Sequence, residues 1–312
     1  MSKILILGGN GFLGKSIHTA FQNDTKNEFV LINVSRRTGT DLTKSGEMYN
    51  ILLRYNPDII INAAAHVGSI NYVTENAADV VVDNSLMYIN MYNEIAKSGK
   101  TPLVINIISN CSYPGNANIQ KEDEWWNGEI HNSVLSYGTP KKLGYVISKC
   151  FEKQYGIKTL NLIVPNAYGP GDYLTEDRVH AMNGIIIRMI KAMRSGDTEF
   201  TIWGSGTPIR EWVYMPDVGK LIYYIIKNKM FDLPNPINIG QNRGISVIES
   251  AEMVKNILNY NVQLKNDLTK QDGAPIKILD DVLFRENFPD FKFTEYNIGI
   301  TETISYYKKL LK

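Results

Sequence analysis

Val104-Ile105-Asn106-Ile107-Ile108-Ser109-Asn110-Cys111-Ser112-Tyr113-Pro114 runs from an apolar stretch into a Ser and a Cys. With Leu103 in front, the branched residues up to Ile108 predict a strand buried on both faces, as in a parallel sheet flanked by helices. Ser109 and Cys111 fall just past its carboxyl end, where doubly wound α/β proteins hold their ligands. Tyr137 comes 28 residues after Ser109, and Lys141 four after that. Positions i and i+4 share one face of a helix, so phenol and ammonium are expected to approach the strand end together.

Working outward, Lys3–Leu7 reads as a first strand and the residues from Phe12 to about Asn23 as a helix, with Gly8-Gly9-Asn10-Gly11 and Gly14 between and within them. Gly8 and Gly11 permit a tight turn and close approach to a pyrophosphate, and Gly14 permits close helix packing. The helix N-terminus offers unpaired N–H groups to the anion. Phe29–Val34 is the second strand. Its end carries Arg36 and Arg37 where an NAD enzyme usually places an acid, which favours the 2′-phosphate of NADP. Pro57–Ala65 is the third strand and its exit, and the small Ala63, Ala64 and Ala65 leave room for a cofactor against the backbone. His66 reads as a hydrogen-bonded loop residue.

Further along, Glu75–Lys97 and Ser136–Tyr155 read as helices, the first stopped near Gly99. Pro140 places the start of the second at Tyr137 or just before it, because proline is tolerated in a first turn. Cys150 reads as a small core residue of that helix. Trp125-Trp126 in the intervening loop suits either a cover for a sugar or packing of the loop. Thr159–Val164 is another strand. Beyond it the rhythm turns irregular: a helix over Glu176–Arg194, a strand at Glu199–Trp203, a helix from Asp217, a strand at Pro236–Gly240, and a helix over Ser246–Leu258 with a capping box. Gln271–Lys277 is a loop, and a basic helix closes the chain. The expected architecture is α/β, a Rossmann doubly wound parallel sheet over residues 1–170 with a smaller interleaved lobe over 171–312. Residues of about 212–245 are expected to return to the first domain.

A chain of 312 residues suits two such units, and its +1 net charge gives no field that draws nucleic acid or a membrane surface. No apolar run approaches the roughly 20 residues of a spanning helix. Two cysteines fit a reducing cytoplasm, and four scattered histidines without CxxC or HExxH offer no metal site.

The glycine loop, Ser109, and Tyr137 with Lys141 resemble the extended short-chain dehydrogenase/reductase family. Cys111 and His180, Asn166-Ala167-Tyr168-Gly169-Pro170, the Trp203–Glu211 segment and Asp272–Asp280 narrow the resemblance to its GDP-fucose synthase subfamily. That resemblance implies NADP(H) held also by Phe12, Leu13, Asp41, Leu42, Ile107, Ile108, Lys141, Val164, Pro165, Asn166, Ala167 and His180. It implies a GDP-linked 4-keto sugar, hexose or heptose, whose nucleotide faces Arg188, Trp203, Arg210, Asp272 and Lys277. It also implies a homodimer through the helices of Glu75–Lys97 and Tyr137. Asn110, Pro140 and Gly171 depart from the subfamily pattern.

Ketone reduction needs a hydride donor, a proton donor for the alkoxide, and a group that holds the carbonyl. Tyr137 suits the proton donor, Lys141 is expected to favour its phenolate, and Ser109 suits the carbonyl. A 4-keto group acidifies the hydrogens at C3 and C5, and Cys111 as base with His180 as acid suits their inversion. Three other readings stay open: a C4 reductase fed an already epimerised sugar, an NAD-retaining 4-epimerase or dehydratase, and a non-catalytic NADP sensor.

Overall fold

The computed structural model describes residues 1–22, 24 and 28–311 of the chain. In chain order the first unit contains β1 (Ser2–Leu7), α1 (Phe12–Gln22), β2 (Phe29–Val34), α2 (Glu47–Tyr55), β3 (Ile59–Asn62), α3 (Ile70–Glu75), α4 (Ala77–Lys97), β4 (Leu103–Ser109), α5 (Leu135–Tyr155) and β5 (Thr159–Val164). Then come β6 (Asn166–Tyr168), α6 (Ala181–Ser195), β7 (Glu199–Trp203), β8 (Ile209–Tyr214), α7 (Met215–Lys227), β9 (Ile237–Asn238), β10 (Gly244–Ser246), α8 (Val247–Leu258), β11 (Gln263–Asp267), β12 (Ile276–Lys277), α9 (Val282–Asn287) and α10 (Tyr296–Leu310).

Six strands form one parallel sheet in the order β2-β1-β3-β4-β5-β9. Side chains alternate across it, so Ile4 and Ile6 of β1 join a core with α1 and α7, while Leu5 and Leu7 join another with α2 and α4. The order turns back at β1, which opens a crevice outside the carboxyl ends of β1 and β3. Both β9 and the helix before it, α7, belong to this sheet's layers although they follow the first strands of the other lobe. That lobe holds β8 between β10 and β12, with β6 also paired to β8 and a separate β7–β11 pair. Its core lies among α6, α8 and α10.

Local chemistry explains where the elements depart from the sequence reading. The expected helix over Glu75–Lys97 is α4, beginning two residues later at Ala77: Glu75 ends the short α3, and Asn76 between them leaves helical geometry while its side-chain amide bonds the Tyr72 carbonyl at 3.0 Å. The helix expected to begin at Glu176 begins at Ala181, after His180 takes an extended cap conformation. Pro140 sits in the second turn of α5 rather than its first; the bond it gives up is to Ser136, near the helix start. Cys150 is exposed on α5 and is not a core residue. The expected end of the first helix at Asn23 lies outside the described residues. Ser246 caps α8 with Glu249 in the reciprocal pattern its spacing predicts. No described helix is long and apolar enough to cross a membrane.

Candidate active site

At the carboxyl end of β4 the chain bends through a 3-10 turn, Asn110–Ser112. Ser109 Oγ accepts from the Cys111 N–H at 3.2 Å, and Ser112 Oγ donates to the Ser109 carbonyl at 2.7 Å. Helix α5 presses onto this turn: a Cβ on Gly138 would stand 2.4 Å from the Cys111 carbonyl oxygen. That close approach carries the neighbouring Tyr137 to the turn. One cavity of about 350 Å³ is lined by Ser109, Cys111, Tyr137, Lys141 and His180 together.

Lys141 is buried, its Nζ 3.0 Å from the Ile107 carbonyl and 3.4 Å from the Tyr88 hydroxyl. Burial pushes this ammonium down to about 8. It stands 5.5 Å from the centre of the Tyr137 ring. Burial first, and then the charge of Cys111, push the Tyr137 phenol up. Lys141 spends two of its three N–H donors on Ile107 and Tyr88, and desolvation is the largest influence on the Tyr137 phenol, which stands above its ordinary value where a drop was expected.

His180 stands at the head of α6, with Nδ1 3.0 Å and its backbone N–H 2.9 Å from Asp172 Oδ2. Asn183 donates to the same oxygen at 3.0 Å. Burial disfavours the imidazolium, but the Asp172 carboxylate outweighs it and raises His180 above an ordinary imidazole. Sequence reasoning missed Asp172, because it stands eight positions before His180 along an irregular loop and no periodicity links them.

Farther along the cavity lie Arg188, Trp203, Arg210, Asp272 and Lys277. The Arg188 guanidinium sits 4.6 Å over the Trp203 ring and donates to the Thr201 carbonyl at 2.8 Å. Arg210 donates to the Asp272 carbonyl at 3.2 Å, and Asp272 Oδ1 accepts from Ser205 N–H at 2.8 Å. Lys277 extends to Cys111, with Nζ 3.2 Å from Sγ. Asn110 is also on the lining, and both polar atoms of its buried side chain lack a partner among the described residues.

A second cleft adjoins the first and is lined by Gly8, Gly11, Phe12, Arg36, Arg37, Leu42, Ala63, Ala64 and Ala65. Leu13, Ile107, Ile108, Val164, Pro165, Asn166 and Ala167 line the first cavity beside it. Gly8 has φ +77°, and a Cβ there would meet the Ala63 carbonyl at 2.9 Å, so the turn requires glycine. The cradle of glycines, small alanines and a helix N-terminus fits a dinucleotide. Gly14 and Asp41 line neither cleft. Gly14 packs against the backbone of Gly8 and Gly9, and Asp41 binds Thr43 and Arg36. The strand end is also not without carboxylates: Asp83, from α4, accepts from Arg36 at 2.9 Å. His66 joins this network, bridging Asp83 and the Tyr72 hydroxyl. Trp125 is fully buried and donates to Ser112, so it packs its loop down.

Residues 4–240 match the model of the NAD dependent epimerase/dehydratase family. The chain is 26% identical over 314 residues to a probable GDP-L-fucose synthase of Drosophila melanogaster, covering 98% of this chain and 97% of that one. Its fold is like that of a GDP-L-fucose synthetase from Naegleria fowleri bound to NADP, with a TM-score of 0.87 and 22% identity over 99% of this chain and 93% of that one. It is also like a GDP-mannoheptose C4 reductase from Campylobacter jejuni with NADP bound, with a TM-score of 0.80 and 23% identity over 98% of both chains.

Proposed function

The chain belongs to the NAD dependent epimerase/dehydratase family, and from that premise we propose that it uses NADPH to reduce the C4 ketone of a GDP-linked 4-keto-6-deoxy sugar, after epimerising C3 and C5 in the same cavity. The observation that carries this reading is the convergence of Ser109, Tyr137, Lys141, Cys111 and His180 on one cavity at the end of β4. The names of its relatives support a GDP-sugar as substrate.

When bound, NADPH supplies a hydride to the ketone carbon. Ser109 donates a hydrogen bond to the ketone oxygen and polarises it. Tyr137, kept protonated by its burial, gives its proton to the alkoxide as it forms. Before reduction, the Cys111 thiolate removes a proton next to the ketone, Ser109 and Tyr137 hold the enolate oxygen, and His180 returns a proton to the opposite face. Arg36 and Arg37 read the 2′-phosphate, and Arg188, Trp203, Arg210 and Asp272 hold the nucleotide.

We read the protein as a homodimer. Val82 and Ile89 on α4 and Leu143 and Val146 on α5 are 52%, 38%, 36% and 41% exposed, an apolar face shared by two adjacent helices. Cytoplasmic residence suits Cys111, whose role needs a reduced sulfur. The test is NADPH oxidation on adding GDP-4-keto-6-deoxymannose. Wild type consumes NADPH in step with sugar, and Tyr137→Phe loses nearly all turnover while still binding NADPH. Wild type that leaves NADPH unoxidised with GDP-4-keto hexoses and heptoses would overturn the reading.

A further inference from the structure

Lys277 reaches the cavity from β12, on the lobe opposite the turn that carries Cys111. It is only 6% exposed, and its backbone is held by parallel pairing of β12 with Arg210 of β8. A buried ammonium needs an anion or a full set of acceptors. Among the described residues Lys277 has no carboxylate partner, and its side-chain hydrogen bond goes to Cys111 Sγ at 3.2 Å. We propose that Lys277 is a positioning residue for Cys111, holding the sulfur as a thiolate aimed into the cavity, so that the epimerising base is completed by the second lobe. This rests on the reading of Cys111 as that base.

The groups facing the sulfur come from five places. Its own turn gives Ser109, α5 gives Tyr137 and Lys141, the head of α6 gives His180, β8 gives Arg210, and β12 gives Lys277. None is a carboxylate. Burial works to keep the thiol protonated, and the charge of Lys277 is the largest influence against it; the outcome is a thiol below its ordinary range. Arg210 adds to this from farther away, its donors being spent on the Ile209 and Asp272 carbonyls. Lys277 alone of these cations makes a direct hydrogen bond to the sulfur.

The pH dependence of iodoacetamide alkylation tests the assignment on the full chain, with neither sugar nor cofactor present. Cys150→Ser, which removes the exposed second cysteine, makes the reaction report Cys111. In that background the inflection is expected below the ordinary thiol value of about 8.5. Lys277→Met should raise it by about one unit, roughly tenfold less thiolate at neutral pH, and Lys277→Arg should restore most of the drop. Lys277→Gln, uncharged but polar, gives the same reading should the Met variant fail to fold. GDP affinity is measured on the same proteins. An unmoved inflection, whether or not GDP binding weakens, would overturn the proposal, and weakened binding would make Lys277 a ligand of the nucleotide. A moved inflection in a protein that oxidises no NADPH would keep the Lys277–Cys111 pair and remove only the sugar reading.

Discussion

His180 is tuned by a single carboxylate. With Asp172 at 3.0 Å the ring stays protonated to higher pH than an ordinary imidazole. Proton return needs the charged ring, so inversion should fall as pH rises through that raised value. Asp172→Asn should move this alkaline limb down by about one unit, read from the pH profile of inversion and from the imidazole NMR titration. A limb that stays in place would remove His180 as the acid. The arginines make a second case. Arg36 is already engaged by Asp83 and Asp41, whereas Arg37 lines the cleft with no ion pair among the described residues. Changing both to Ala should raise the KM for NADPH about tenfold or more and leave NADH use nearly untouched, since charge-assisted bonds contribute about 1.5–3 kcal/mol each. Equal losses with both cofactors would mean that neither reads the 2′-phosphate. Ser109, Tyr137 and Lys141 were legible because strand ends and i, i+4 spacing are local rules. Asp172, Asp83 and the Lys277–Cys111 contact were not, because each is made by chain segments that only the fold brings together.

Among the elements, the parallel sheet was legible from its apolar runs, but its buried polar line was not. Asn62, Asn106 and Asn161 stand in register on β3, β4 and β5. Asn62 donates to Asn106 at 3.2 Å, and Asn106 donates to Asn161 at 3.1 Å and to the Tyr92 hydroxyl at 2.9 Å. In the sequence these are three unrelated polar interruptions. Asn106→Leu keeps the volume but strands an amide on each neighbouring strand, a loss of about 3 kcal/mol at the usual cost of unpaired buried groups. Urea unfolding measures it, and a variant as stable as wild type would show that the line contributes nothing to stability. The start of α6 lies five residues later than its apolar periodicity suggests for a related reason: the Asp172 carboxylate, from a separate loop, takes the N–H of the extended His180.

For the molecule as a whole, two lobes share one cavity, lined by Ser109, Tyr137 and Lys141 from the first and by Arg188, Trp203, Arg210, Asp272 and Lys277 from the second. The interleaving of α7 and β9 back into the large sheet ties the lobes through the chain itself. The shared apolar face of α4 and α5 should hold two copies together, so Ile89→Lys with Val146→Glu should shift the sedimenting species from dimer to monomer; an unchanged mass would place the interface elsewhere. Deuterium incorporation shows whether one cavity both epimerises and reduces. With GDP-4-keto-6-deoxymannose and NADPH in D₂O, wild type is expected to consume the cofactor and yield a product carrying deuterium at C3 and C5, while Cys111→Ser gives almost none. A reduced product free of deuterium at both carbons would contradict the account and leave a plain C4 reductase.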